Sequence, residues 1–151
     1  MVRTNSTKTL KCLVAEDYFR INQAGQMLVV TVWTTEKRPS INFHEIARVF
    51  EAMKTALLDN DMTSAEWSVL YDLSKLQELD LFALPQFGSF ALWAVAHRRR
   101  RVAFVFPKVA GAEVSLVRRS MNSFFANMGK VVNEYHDADS VDDALAWLSR
   151  K

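Results

Sequence analysis

The sequence predicts an α/β domain, a mixed sheet of about five strands opened by an N-terminal hairpin and carrying about four helices. Three observations carry that expectation. Two β-branched and aromatic runs, Tyr18–Asn22 and Met27–Thr34, stand close together with turn residues Asn22, Gln23, Ala24 and Gly25 between them. After them, amphipathic stretches alternate with short apolar ones. The chain has 151 residues, of which 50% are hydrophobic and 24% charged, enough for one packed domain and too little for two. Residues 1–11 read as a flexible polar stretch and 12–151 as the single domain.

Each element has a local signature. The run Met27-Leu28-Val29-Val30-Thr31-Val32-Trp33 is nearly continuously apolar, as expected of a strand covered on both faces and central in its sheet. Asn42 and Glu45 form a capping-box pair and Ile41 can staple onto Ile46, so a helix starts there. Ile46, Val49, Phe50, Met53 and Leu57 continue it at helical spacing, and Asn60 with Asp61 ends it. Trp67–Leu73 reads as a strand. Pro85 suits the first turn of a second helix, expected to run to Arg99. Val102–Phe106 is the next strand, stopped by Pro107.

A third helix is expected over Ala112–Met128, where Val114, Val117, Met121, Phe124, Phe125 and Met128 share one face and Gly129 can terminate it. Val131–Tyr135 is the last strand. Ser140 and Asp143 resemble a second capping box, opening a final helix with Val141, Ala144, Leu145 and Leu148 on its buried side. Strands joined by single helices should be parallel, which leaves the first hairpin strand antiparallel.

This order of elements resembles the STAS fold of anti-sigma-factor antagonists. The resemblance rests on Trp67-Ser68-Val69-Leu70-Tyr71-Asp72-Leu73, on Arg101-Val102-Ala103-Phe104-Val105, and on Tyr135-His136-Asp137 leading into Asp143-Ala144-Leu145-Ala146-Trp147-Leu148. That close is similar to the ending of SpoIIAA-like members of the STAS-like proteins. The resemblance spans about Tyr18 to Arg150 and implies a binding module. The antagonists carry a phosphorylatable serine in an Asp-Ser-Ser-Gly segment; aligned on Asp80, this chain has Leu81, Phe82 and Ala83 there. Leucine and phenylalanine offer no hydroxyl, so the serine switch is not carried over.

Composition excludes several functions. The formal net charge is +2, too weak a field to select nucleic acid or an anionic membrane. Cys12 is the only cysteine, which rules out an internal disulfide and multi-cysteine metal or redox motifs, and suits a cytoplasmic location. The apolar stretch Phe87–Ala96 is interrupted by Gly88 and Ser89 and falls short of the roughly 18–20 residues of a membrane span. Gly25, Gly88, Gly111 and Gly129 are isolated, so no phosphate-cradling loop can be built. His44, His97 and His136 have no partners at metal-ligand spacing, and neither metal nor cofactor is expected.

Ligands of open α/β sheets collect beyond the carboxyl ends of parallel strands, which singles out Asp72, Ser74, Lys75, Lys108, His136 and Asp137. Ser74, His136 and Asp137 include the residue types of a hydrolytic triad. Ser74 lacks a nucleophile elbow and an oxyanion loop, and is read as a turn residue with Asp72. The run His97-Arg98-Arg99-Arg100-Arg101 reads as a solvated helix end facing the negative pole of the dipole, with Arg98 and Arg99 the alternative contacts for an acidic partner.

The expectation is therefore a noncatalytic module that binds a protein partner, or itself, through Asp80, Leu81, Phe82 and the helix that follows, with Trp93 beside it. The alternative is a carrier of a small apolar or amphipathic ligand, using the aromatic and methionine side chains and an anion contact at Arg98 or Lys108. An esterase using Ser74 is the weakest reading.

Overall fold

The computed structural model describes residues 10–108, 112–127 and 134–150. Six strands form one sheet in the order β1-β2-β3-β4-β5-β6: Lys11–Ala15, Phe19–Ala24, Met27–Val32, Trp67–Asp72, Arg99–Val105 and Glu134–Ala138. β1 and β2 pair antiparallel, as do β2 and β3, whereas β3 through β6 are parallel. The helices are α1 (Phe43–Asp59), α2 (Leu84–Ala96), α3 (Ala112–Asn127) and α4 (Val141–Leu148). The sheet has one strand more than the sequence predicts, because Lys11, Cys12, Val14 and Ala15 pair with β2 along its outer edge.

The strand order explains where the helices go. The crossovers β3-α1-β4, β4-α2-β5 and β5-α3-β6 all advance one strand in the same direction. Right-handed connections that never reverse put all three helices on one face. The main core accordingly gathers Val49, Phe50 and Met53 of α1, Phe87 and Phe90 of α2, and Val117, Met121 and Phe125 of α3 against Leu28, Val30, Val69, Val102 and Phe104. Among the described residues α4 alone packs on the other face, where Leu70, Ala103, Val105, Ala138 and Ala144 form a smaller core. Each large apolar side chain buried this way contributes roughly 1.5–3 kcal/mol relative to exposure.

One helix cannot cover a six-stranded face. α4 lies on β4, β5 and β6, so β3 is buried at Leu28, Val30 and Val32 but only half-buried at Met27, Val29 and Thr31. That corrects the expectation of a strand covered on both sides. β3 is interior in strand order and exposed on its second face.

The local signatures hold where they are self-contained. Asn42 caps α1 with both capping-box bonds formed, each at 2.9 Å. Ser140 caps α4, its Oγ accepting from the Asp143 backbone at 3.1 Å. The Asp143 carboxylate completes no box; it accepts from the Asp139 backbone at 2.9 Å and meets His136 Nε2 at 3.2 Å. The second helix ends at Ala96 with His97 as its cap, three residues short of Arg99, and the next strand starts at Arg99, three before Val102. The last strand, Glu134–Ala138, overlaps the predicted Val131–Tyr135 at two positions; 131–133, Met128 and Gly129 lie outside the described residues.

Candidate functional site

Beyond the carboxyl end of β4 the chain makes a tight turn and then a braced loop. Asp72 Oδ1 accepts from the Ser74 backbone at 3.1 Å and from the Ser74 hydroxyl at 2.6 Å, an Asx turn that closes the strand. Leu76 and Leu79 are buried beneath the loop. The segment before α1 ties it down: Thr34 Oγ1 accepts from the Gln77 backbone at 2.9 Å, Ile41 pairs with Leu79 in a parallel bridge, and Asp80 donates its N–H to the Ile41 carbonyl at 2.9 Å.

At the end of that loop Asp80 Oδ1 accepts from the Phe82 backbone at 3.0 Å and starts a short 3₁₀ turn, Leu81–Ala83, that runs directly into α2. Ala83 is buried, Leu81 and Leu84 pack partly onto the core, and Phe82 is turned outward with 75% of its surface exposed. A ring left in water on so firmly anchored a segment forgoes the burial that an aromatic side chain normally gains.

The fold is SpoIIAA-like. The chain superposes with a TM-score of 0.55 on the structure of the anti-sigma factor antagonist SpoIIAA in its unphosphorylated form, at 12% sequence identity, covering 85% of this chain and 96% of that one. No family model and no curated protein sequence matches the chain.

On this SpoIIAA-like frame the sequence-derived candidates fall into separate places. Asp72, Ser74, Asp80, Leu81 and Phe82 share one loop. Trp93 lies farther along α2, half-buried, stacked on His97 at 4.0 Å and Phe90 at 5.5 Å with Lys54 Nζ 5.6 Å from its ring centre. Lys108 is exposed after β5. The triad residues are not joined: Ser74 is bound to Asp72, His136 meets Asp143, and Asp137 accepts from Arg118 Nε and Nη2, both at 2.8 Å. Strand order from β3 to β6 contains no reversal, so no switch-point crevice opens at the carboxyl ends. Among the described residues no cluster of His, Cys, Asp or Glu is arranged to hold a metal ion, and no helix is long and apolar enough to cross a membrane.

The arginine run is the main correction. It is not a solvated helix end. Arg98 takes the position after the helix cap with φ of 76°, and its Nη1 donates to the Ser64 carbonyl at 2.6 Å. Arg99 and Arg101 are buried residues of β5. Trp67 pairs with Arg99 and Ser68 with Arg101, so Arg100 is an extra residue bulged out of the ladder. Residues two apart normally share a face; the bulge sends Arg99 to the α3 side and Arg101 to the α4 side. Arg101 Nε donates to Glu134 at 2.9 Å, and its Nη1 caps the carbonyls of Trp147 and Arg150 at the end of α4.

The half-covered second face holds what the sequence did not reveal. A groove of about 800 Å³ runs beside α4 between Met27, Val29, Val141, Leu145 and Leu148, with Arg100 among its polar lining residues. It opens at the amino ends of the parallel strands, opposite the Phe82 loop. Neither Arg98 nor Lys108 lines it. Its only sequence signal is negative: one short C-terminal helix for the second face of a wide sheet.

Proposed function

We propose that this SpoIIAA-like chain is a noncatalytic protein-interaction module whose docking face is the Leu81–Ala83 turn and the start of α2. The observation that carries the reading is Phe82, 75% exposed on a segment fixed by the Asp80 cap and the Ile41–Leu79 bridge. A rigidly presented aromatic ring suits an interface anchor, because it buries about 150–250 Å² while few torsions need be frozen. The occupant is a partner protein with an apolar pocket for that ring. SpoIIAA, an anti-sigma factor antagonist, shares the fold and itself acts against a protein. With Leu81, Phe82 and Ala83 where the antagonists carry Ser-Ser-Gly, the face has no hydroxyl to phosphorylate and is constitutively apolar.

The test is native mass spectrometry of the gently purified protein beside its Phe82→Ser and Leu58→Ser variants. Leu58 is also exposed, at 54%, but on α1, so it serves as the control. A stoichiometric heterocomplex kept by L58S and lost by F82S supports the reading. A complex indifferent to F82S, or a homodimer alone, overturns it.

The groove beside α4 favours a second reading, a carrier of a small amphipathic ligand, since its volume lies within the range of about 300–1,000 Å³ typical of ligand sites. In that reading Arg100 replaces Arg98 and Lys108 as the head-group contact. A nonprotein adduct that vanishes in Ala146→Trp, which fills the groove from an exposed lining position, would support it. An adduct unaffected by A146W, or none, would remove it.

A further inference from the structure

Among the described residues of β5 and α3, three arginines are buried or half-buried, and two of them are paired. Arg118 presents its Nε and Nη2 edge to both oxygens of Asp137, each at 2.8 Å. Arg101 holds Glu134 through Nε and the end of α4 through Nη1. Arg99 is the most enclosed, with only 3% of its surface exposed. Its Nε and Nη2 are buried and have no hydrogen-bond partner among the described residues.

Leaving those donors unpaired is expensive. An arginine side chain does not give up its proton at accessible pH, so burial cannot be relieved by neutralisation, although desolvation pulls its pKa down. Its surroundings offer partial compensation. The guanidinium carbon lies 5.9 Å from the centre of the Phe125 ring, and Tyr71 is close enough to feel the charge. Tyr71 supplies no anion: burial pushes its pKa well above the usual phenol value, so it stays neutral. A buried cation with only an aromatic face and a phenol lacks the acceptor that normally makes such burial tolerable.

We propose that the unpaired Nε/Nη2 edge of Arg99, at the start of β5, is a binding site for a small oxoanion, a carboxylate or phosphate group. The unpaired edge is the one that Arg118 uses for Asp137, and its two parallel N–H groups match two oxygens of one carboxylate or phosphate. Lysine could not reproduce that fork. The backbone built to deliver it is itself unusual: Arg98 is held at φ 76° where glycine would be unstrained, and the Arg100 bulge turns Arg99 inward. The site is separate from the Phe82 loop and independent of that reading.

The experiment is a thermal melt of the full chain in chloride buffer at fixed ionic strength, titrated separately with inorganic phosphate and with citrate, beside Arg99→Met. Wild type should gain stability along a curve that levels off, on the order of 5–10 °C in Tm at a hundredfold excess over Kd. R99M, whose side chain fills the same space without charge, should melt no lower than wild type in the anion-free buffer and show no plateau. The Arg99 Nε–H resonance, identified by its loss in R99M, should move during the same titration. Response to one titrant and not the other identifies the oxoanion class. A wild-type curve without a plateau for either anion, an equal plateau in R99M, or an R99M protein markedly less stable without anion would each overturn the proposal, the last because Arg99 would then already have an internal partner.

Discussion

Arg101 and Glu134 are register partners on neighbouring parallel strands, and their side chains meet at 2.9 Å although the first is 6% exposed and the second 50%. The same guanidinium reaches the carbonyls that end α4, so one cation ties β5, β6 and the helix on the second face together. Cations at a helix carboxyl end are favoured by the dipole, which is the physics that the sequence suggested for this run, realised on a different helix.

The pair makes stability depend on pH. The hydrogen bond from Arg101 holds the Glu134 carboxyl below its usual pKa. A depressed folded pKa contributes stability that is present above the unfolded value and lost as pH falls through the folded one. Glu134→Gln should therefore lower stability at neutral pH by on the order of 1 kcal/mol, a modest figure because the half-exposed carboxylate is screened by solvent. Urea melts across a pH series should show the gap to wild type closing in acid. A gap that stays constant would mean the charge on Glu134 is not what matters.

Phe82 should be nearly silent in folding. With three quarters of the residue's surface already exposed, Phe82→Ser should shift unfolding free energy by no more than about 0.5 kcal/mol, the range of ordinary surface changes. Ala83, beside it and buried, makes the contrast. Ala83→Leu should cost about 1–3 kcal/mol by overpacking. Chemical denaturation of both variants checks this, and a large loss in F82S would show that the ring is structural.

Legibility followed locality. The cap at Asn42, the turn at Ser74 and the stripe of α1 are each written in a few adjacent residues, and all three stand as read. β1 is not legible because Lys11-Cys12-Leu13-Val14-Ala15 has weak alternation of its own and becomes a strand only by pairing with β2. The arginine run misleads for a similar reason. Four cations after an apolar helix look like a helix end on local electrostatics alone, whereas the turn at Arg98 and the bulge at Arg100 are decided by pairing with Trp67 and Ser68 on another strand. Which candidates share a surface is also nonlocal: Asp72, Ser74, Asp80 and Phe82 lie along one loop, but Trp93 is taken up by stacking on its own helix.

Asp137 should matter for structure and not for hydrolysis. It accepts two bonds from Arg118 and a third from Asn122 Nδ2 at 3.1 Å, and Asn122 in turn accepts from the Tyr135 hydroxyl, so α3 is fastened to β6 at this point. Asp137→Ala should cost about 1.5–3 kcal/mol, the range for hydrogen bonds to a charged group. Amide exchange should accelerate across α3 more than across α1. A loss of stability spread evenly over both helices would argue against a local clasp.

Gly25 tests the hairpin itself. Its φ of 60° lies in the left-handed region, yet a Cβ built there meets nothing within 4 Å. Any penalty for a side chain therefore comes from the backbone alone and not from crowding. Gly25→Ala should lose about 1–2 kcal/mol, the cost of holding an L-residue in that conformation. Gly25→Asn should lose less, because asparagine tolerates it better. If both variants matched wild type in urea melts, the turn between β2 and β3 would have to relax to a different geometry. If both lost equally, the tight approach of Gln26 to the Met62 and Glu66 carbonyls, at 3.0 and 3.1 Å, would be the constraint that the substitution disturbs.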